Sequence, residues 1–468
     1  MSRTAIRARL LDFVGDPTHS ASAVRFVDDG LLLVDGDHIV ARGPHSDLSA
    51  SLAPVDPVVD LSGCLLLPGF IDVHTHCAQI DVMASPASGL LDWLMRYTYR
   101  AEARFADAAL CKEAATFFLD ELVRNGTTSA CVLGTVHAQS VEALFAEAHA
   151  RQMRLVAGKC LMDRNCPPEL RDVGDAGIRQ SAELADRWHG KGRLGYAITP
   201  RFAASSSDRQ LALAGELATA RPELYVQSHL AETEEEVRWV RELYPRARSY
   251  LDVYDAVGLV RERSVYAHCI WLDGSDRIRL GKSRAAAAVC PSSNLFLGSG
   301  AFDFLQALKA GMTITLGTDV GGGRSFSMLE TMRAAHDVAR LRGLPLRAAQ
   351  LFYWATCGAA EALGWQGKVG TLEPGAEADF VVLDPSATPL LARRSAAATS
   401  AEELLFAMMI LGDERAVRET FIAGRPSKGR HVSSVRAEPS PDPHARAREL
   451  AQRFSGRLPK PAGKATGR

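Results

Sequence analysis

Apolar positions along this chain fall into two kinds of pattern. Between residues 68 and 319, eight short and nearly uninterrupted apolar runs recur: Phe70 to His76, Thr128 to Val136, Leu155 to Met162, Leu194 to Phe202, Leu224 to Leu230, Val265 to Leu272, Ala286 to Pro291 and Met312 to Asp319. Continuous rather than alternating runs suit parallel strands covered on both faces. The stretches between them read as helices. The longest is expected from Glu102 to Asn125, ending at the Asn125-Gly126 cap signal. Eight strands alternating with helices over about 300 residues predict a TIM (β/α)8 barrel. A doubly wound open sheet would alternate in the same way, but no G-x-G-x-x-G follows the first run.

The two ends of the chain differ from this middle. Leu31-Leu32-Leu33-Val34, the turn signal Asp35-Gly36-Asp37 and His38-Ile39-Val40-Ala41 read as a hairpin, and no helical period runs through residues 1–67. Strand-like runs return at Ala378 to Leu383 and Ala416 to Ile422. Neither segment is long enough to bury a core alone. The expectation is therefore one small β-sandwich made from residues 1–67 and 366–426, flanking a barrel domain at 68–365. From Ser427 the chain carries ten Lys or Arg against three Asp or Glu. That composition predicts a solvated, poorly ordered basic tail over 427–468, with a partner-binding arm as the other reading.

Composition narrows the class. With 468 residues, 47% hydrophobic and 23% charged, the chain has the make-up of an ordinary globular protein large enough for one big domain and a smaller one. A formal net charge of −1 gives no general affinity for nucleic acid or for an anionic membrane. Nine cysteines, an odd number without any C-x-x-C pair, argue for a reducing compartment. With no signal-like leader and no long apolar span, a cytoplasmic enzyme is expected.

The candidate chemistry sits at the ends of the predicted strands. The first run closes on His74-Thr75-His76, where a two-residue period puts both imidazoles on one face and Thr75 on the other. Taken alone, such a pair is more often structural. The fifth run carries His229 one residue before its end, the sixth contains His268, and the eighth ends Gly317-Thr318-Asp319. In a TIM barrel those ends share one mouth, and four histidines with one aspartate there suit a zinc ion that keeps an open position for water. The same donors also suit iron or manganese. His137, near the end of the second run, is not drawn into the set.

These residues resemble the amidohydrolase superfamily: Pro68-Gly69-Phe70-Ile71-Asp72-Val73-His74-Thr75-His76 together with His229, His268 and Gly317-Thr318-Asp319. The likeness runs from Leu65 to Leu383. It implies a metal-dependent barrel with a small β-domain built from both chain ends, and a homodimer. The lysine that bridges two metals on the fourth strand of binuclear members is missing, because that strand reads Tyr196-Ala197-Ile198-Thr199-Pro200-Arg201. One metal per subunit is thus expected, with Lys159 on the third strand structural. Finer motifs are similar to the guanine-deaminating branch: His76-Cys77-Ala78-Gln79, Leu90-Leu91-Asp92-Trp93-Leu94, Thr199-Pro200-Arg201-Phe202, Ser228-His229-Leu230-Ala231-Glu232, Cys290-Pro291-Ser292-Ser293-Asn294-Leu295 and Thr318-Asp319-Val320-Gly321-Gly322-Gly323.

That likeness implies hydrolysis of guanine to xanthine and ammonia. Gln79, Arg201 and Phe202 would contact the purine, and Trp93 would stack on it or simply pack. Glu232 is the expected proton shuttle. Asp319 would orient the water, and His268 would both ligate metal and polarise the adduct. Thr233 and Glu236 read as a capping box, which leaves Glu234 and Glu235 as ordinary first-turn acids. The Gly321-Gly322-Gly323 run lacks P-loop spacing and is read as a flexible segment that lets backbone approach the ring. Other readings share these residues: deamination of a different purine, a pterin or a triazine, and a non-catalytic barrel scaffold. The H-x-E with P-C-x-x-C signature of the cytidine deaminase type is absent.

Overall fold

The computed structural model describes residues 3–52 and 57–429. The basic tail expected beyond Ser427 lies almost wholly outside them. The two ends of the chain do pair. β1 (Thr4–Phe13), β2 (Val24–Asp35), β3 (His38–Pro44) and β4 (Val58–Pro68) join β14 (Phe380–Leu383), β15 (Val417–Ile422) and β16 (Arg425–Pro426) in one seven-stranded sheet, ordered β16-β15-β14-β4-β1-β2-β3. The seam is the antiparallel pairing of β14 with β4, Phe380 opposite Pro68 through Leu383 opposite Leu65. Ile6, Leu10, Leu32, Ile39, Leu66, Phe380, Val382 and Phe421 form this domain's own apolar cluster. On the neighbouring positions Leu65, Leu67, Val381 and Leu383 point the other way, into the main core.

The middle of the chain is the expected barrel. Its eight parallel strands are β5 (Phe70–His76), β6 (Thr127–Leu133), β7 (Arg154–Gly158), β9 (Leu194–Pro200), β10 (Tyr225–Leu230), β11 (Ser264–His268), β12 (Ala286–Val289) and β13 (Thr313–Leu316), with β8 (Cys160–Leu161) extending the third and pairing with β9. The ring is nearly closed: Asp319 N donates to His74 O (2.9 Å) and His76 N to Val320 O (3.1 Å), which ties the last strand's exit to the first strand. Inside the barrel, Ile71, Val73, Cys131, Val156, Ala197, Tyr225, Val265, Ala286 and Ala288 meet Leu363 and Trp365, an apolar plug on which the polar mouth rests.

Two helical expectations change. The stretch from Glu102 to Asn125 is not one helix, because Tyr99–Ala103 ends, a 3₁₀ turn follows at Arg104–Ala106, and a new helix runs Ala108–Arg124. Asp107 makes the break, its side chain accepting from Ala109 N as an N-cap (2.8 Å). Helices Pro389–Ala396 and Ala401–Leu411 were not anticipated. The second buries Leu404, Leu405, Met408 and Met409 in the main core.

Candidate metal centre and substrate pocket

The strand ends deliver the predicted donors to one place. His76 Nε2 lies 3.2 Å from His74 Nε2 and 3.3 Å from His229 Nε2. Asp319 Oδ1 is 3.1 Å from His76 Nε2 and 3.3 Å from His74 Nε2, and its other oxygen is 3.9 Å from His268 Nε2. One ligand atom each from His74, His229, His268 and Asp319 fits within 4.8 Å of the others. His137 stays out of the group, at the start of the Ala138–Ala150 helix.

Each donor is aimed by a neighbour. His229 Nδ1 donates to the Arg201 carbonyl (2.6 Å), and His268 Nδ1 donates to Asn294 Oδ1 (2.8 Å). Both rings therefore turn an Nε2 lone pair toward the centre, the outer-shell arrangement of metal-bound histidine. Asp72, buried beneath, accepts from the backbone N–H of His74 (3.3 Å) and of Thr318 (3.0 Å) and from the Thr318 hydroxyl. Burial pushes its carboxyl up to about 7. His268 (φ 71°) and Asp319 (φ 51°) both sit in left-handed backbone. Such strain costs on the order of 1–3 kcal/mol per residue and is held only where packing over-determines it. Gly317 is part of that packing: a Cβ there would lie 2.8 Å from His74 Cβ and from the His74 carbonyl.

The protonation states suit a cation. Burial takes His74 down to about 4 and His229 well below the ordinary imidazole value, so both are neutral. Asp319 is held far below the usual carboxylate range: burial opposes this, and the hydrogen bonds from His74 and His76 overcome it. Burial pulls His268 down, but the carboxylates of Glu232 and Asp319 outweigh it and leave the imidazole raised. His76 Nε2 lies within 3.3 Å of two other ring nitrogens beside a buried carboxylate, an arrangement that a shared cation satisfies. The donor set fits one divalent metal ion. Lys159 does not take part. It is fully buried and paired with Asp172 (2.6 Å).

The centre forms one wall of a cavity with about 400 Å³ of free space, which Gln79, Leu90, Trp93, Leu94, Arg201, Phe202, Glu232, Glu236 and Leu297 also line. Glu232 is 3% exposed. Its Oε2 lies 3.3 Å from His268 Nε2, and Oε1 accepts from Ser299 Oγ (2.8 Å). Burial pushes its carboxyl up to about 7. The capping box is present, and Glu236 also accepts from Glu232 N (2.8 Å) and from Tyr250 Oη (2.6 Å), so the cap fixes Glu232 in place. Glu234 and Glu235 are exposed. Phe202 packs against Trp239, and Trp93, 2% exposed, borders the cavity from the end of the helix Leu90–Trp93, just before a short π-helical segment that begins at Leu94.

Three residues with clear parts here were not anticipated. Glu102 accepts from Arg201 through both its oxygens (2.7 and 2.6 Å) and from Gln79 Nε2 (2.9 Å). Asn294 and Ser299 hold His268 and Glu232. Asn294 lies within the Cys290-Pro291-Ser292-Ser293-Asn294-Leu295 motif, so a signal existed; for Glu102 and Ser299 the local sequence offers none. The glycine run is also corrected. Gly321, Gly322 and Gly323 are buried, and a Cβ at Gly321 would lie 2.5 Å from Gln79 Cβ while one at Gly323 would strike the Thr318 carbonyl. They are glycines because of close packing behind the site and not for flexibility beside a ring.

Comparison with known proteins agrees with this geometry. The amidohydrolase family matches residues 65–426. The guanine deaminase of Escherichia coli (strain K12) is 42% identical over 424 residues, spanning 90% of this chain and 97% of that protein. The solved structure of E. coli guanine deaminase superposes with a TM-score of 0.88 at 41% identity, covering 91% of this chain and 99% of that one. A guanine deaminase from C. acetobutylicum, solved with guanine bound in its active site, gives 0.82 at 25% identity, covering 91% and 100%. The chain belongs to the amidohydrolase family.

Proposed function

We propose that this protein is a guanine deaminase, hydrolysing guanine to xanthine and ammonia with one zinc ion per subunit. The observation that carries this is the placement, around one cavity, of the histidine–aspartate centre, the buried Glu232, and the polar pair Gln79 and Arg201. A relative 42% identical to this chain and a solved structure at 41% identity are both guanine deaminases. His74, His76, His229, His268 and Asp319 are the residues we assign to the metal. When bound, a divalent ion brings the pKa of a coordinated water toward neutrality and so makes a nucleophile available at pH 7.

The chain's own groups do the rest. Water adds to C2, the electron-poor carbon that carries the amino group. Asp319 orients that water and accepts its proton. Glu232 gives a proton to a ring nitrogen as the C2–O bond forms, which makes the tetrahedral adduct accessible. The amino nitrogen then takes up the proton held on Asp319, the C2–N bond breaks, and ammonia leaves as the C2 hydroxyl returns its proton to Glu232 and becomes a carbonyl. His268 stabilises the adduct's oxygen. Arg201 and Gln79 read the edge of the base, while Phe202 and Trp93 bound its faces.

Among the described residues no helix is long and apolar enough to cross a membrane, and none of the nine cysteines is in a disulfide. A cytoplasmic homodimer is the form we infer. A panel of guanine, adenine, 8-oxoguanine, cytosine and pterins, assayed for ammonia release, tests the substrate. Guanine is expected to lead, and equal rates on another member would refute it.

A further inference from the structure

We propose that Glu102 is a positioning residue that sets substrate specificity, by holding Arg201 as a pure donor and Gln79 as a forced acceptor toward the purine edge. This rests on the guanine reading above. Glu102 comes from the short helix Tyr99–Ala103, Arg201 from the exit of β9, and Gln79 from the 3₁₀ turn after β5. Three separate elements thus meet at one carboxylate that is 1% exposed. It accepts two hydrogen bonds from Arg201 and one from Gln79 Nε2.

The chemistry follows from what a carboxylate can do. An ionised carboxylate only accepts, so the Gln79 amide cannot flip; its N–H₂ faces Glu102 and its Oε1 is left for another partner. Among the described residues Oε1 receives no hydrogen bond, although Gln79 lines the cavity. The guanidinium offers only donors, and its planar fork is braced from a second side by the Tyr99 ring, 5.5 Å from the guanidinium carbon. Burial alone would weaken the guanidinium charge, and Glu102 instead raises the Arg201 pKa further above its ordinary value.

A donor beside an acceptor complements the lactam edge of guanine, where O6 accepts and N1–H donates. It opposes the adenine edge, where the 6-amino group donates and N1 accepts, and it leaves both groups unpaired against a purine with no 6-substituent. Specificity built on buried polar groups reaches about 10⁴-fold or more because the wrong ligand leaves them unsatisfied. The clamp also reaches the metal side through backbone, since the Arg201 carbonyl accepts from His229 Nδ1 and from His229 N (3.1 Å). That carbonyl is held by strand pairing, so losing Glu102 is expected to spare the metal site.

The test compares parent, Glu102→Gln and Glu102→Asp on guanine and on 2-aminopurine, which keeps the reacting 2-amino group and lacks O6 and N1–H. Glu102→Gln lets the Gln79 amide flip and leaves the guanidinium uncompensated. kcat/KM on guanine is expected to fall about 100-fold, mostly through KM, and the guanine to 2-aminopurine ratio to narrow at least about tenfold. Glu102→Asp keeps the charge and so keeps a counter-ion for Arg201, but is one methylene short for both partners. It is expected to lose about tenfold, and it stands as the test if Glu102→Gln does not fold. Metal content, measured on each, should stay near the parental value; the unfolding midpoint of Glu102→Gln is expected to fall because the buried guanidinium loses its counter-ion, and that of Glu102→Asp to fall less. Variants within about threefold of parent, or reduced rates on both substrates with an unchanged ratio, overturn the specificity role. A parent with no activity on guanine overturns the function itself, and the inference with it.

Discussion

Replacing Glu232 by Gln should abolish most turnover while leaving the protein intact. The change is isosteric. The amide side chain introduced by Glu232→Gln retains an oxygen to accept from Ser299 Oγ, and the backbone N–H of this position stays held by Glu236, so neither fold nor cavity shape is disturbed. What disappears is the ability to carry a proton 3.3 Å from His268 Nε2, next to the reacting centre. A positioned acid–base group contributes about 10²–10⁴-fold, or about 2.7–5.5 kcal/mol of barrier at 1.36 kcal/mol per tenfold. Glu232 is only 3% exposed, so bulk water is a poor substitute for it. The expected loss in kcat is therefore at the upper end, about 10³–10⁴-fold. The assay is steady-state ammonia release from guanine, with metal content measured on the same preparation. A mutant that holds its metal and keeps kcat within about tenfold of the parent would refute the shuttle role.

Other substitutions test other parts. Asn294→Ala removes the acceptor for His268 Nδ1–H and should weaken metal retention about 10–100-fold, read by competition with a chelator. Gly317→Ala would push a methyl into His74 Cβ and carbonyl, neither of which can move away; a loss of about 1–3 kcal/mol is expected in denaturant unfolding, along with reduced metal content. Arg193→Met leaves Asp379, fully buried, without the guanidinium that donates to both its oxygens (2.8 and 3.0 Å). Removing one partner of a buried pair costs about 3–5 kcal/mol, so the unfolding midpoint should drop clearly while kcat, far from this contact, changes little.

The centre was legible in the sequence because barrel geometry makes it so. A strand has a period of two, and all strands of a parallel barrel exit on one face, so His74, His76, His229, His268 and Asp319 could be gathered from residue numbers alone. The strands themselves were overrun by a few residues, since apolar runs continue past the last ladder bond. The run at Val265 stops pairing at His268, where the backbone turns left-handed. Glu102 was hidden for the opposite reason. Its partners are 23 and 99 residues away, and nothing in its own neighbourhood distinguishes it from a surface helix acid. The helix Ala401–Leu411 was missed because Leu404 to Leu411 is an unbroken apolar run with little helical period. Its start was nonetheless written in the chain, since Ser400 accepts from Glu403 N and the Glu403 carboxylate accepts from Thr399 N. The glycine run misled because a string of glycines suggests freedom, whereas here each one marks a place where another backbone or side chain already fills the space of a Cβ.

A buried metal centre in this cavity is expected to deaminate guanine. The most direct measurement is the stoichiometry of ammonia and xanthine formed from guanine by the metal-loaded protein, before and after chelation and after zinc is restored. One ammonia and one xanthine per guanine consumed are expected, with loss of turnover in step with loss of one metal per subunit and recovery on adding zinc back. Full activity in the metal-free protein, or no ammonia from guanine in a protein holding its metal, would contradict it.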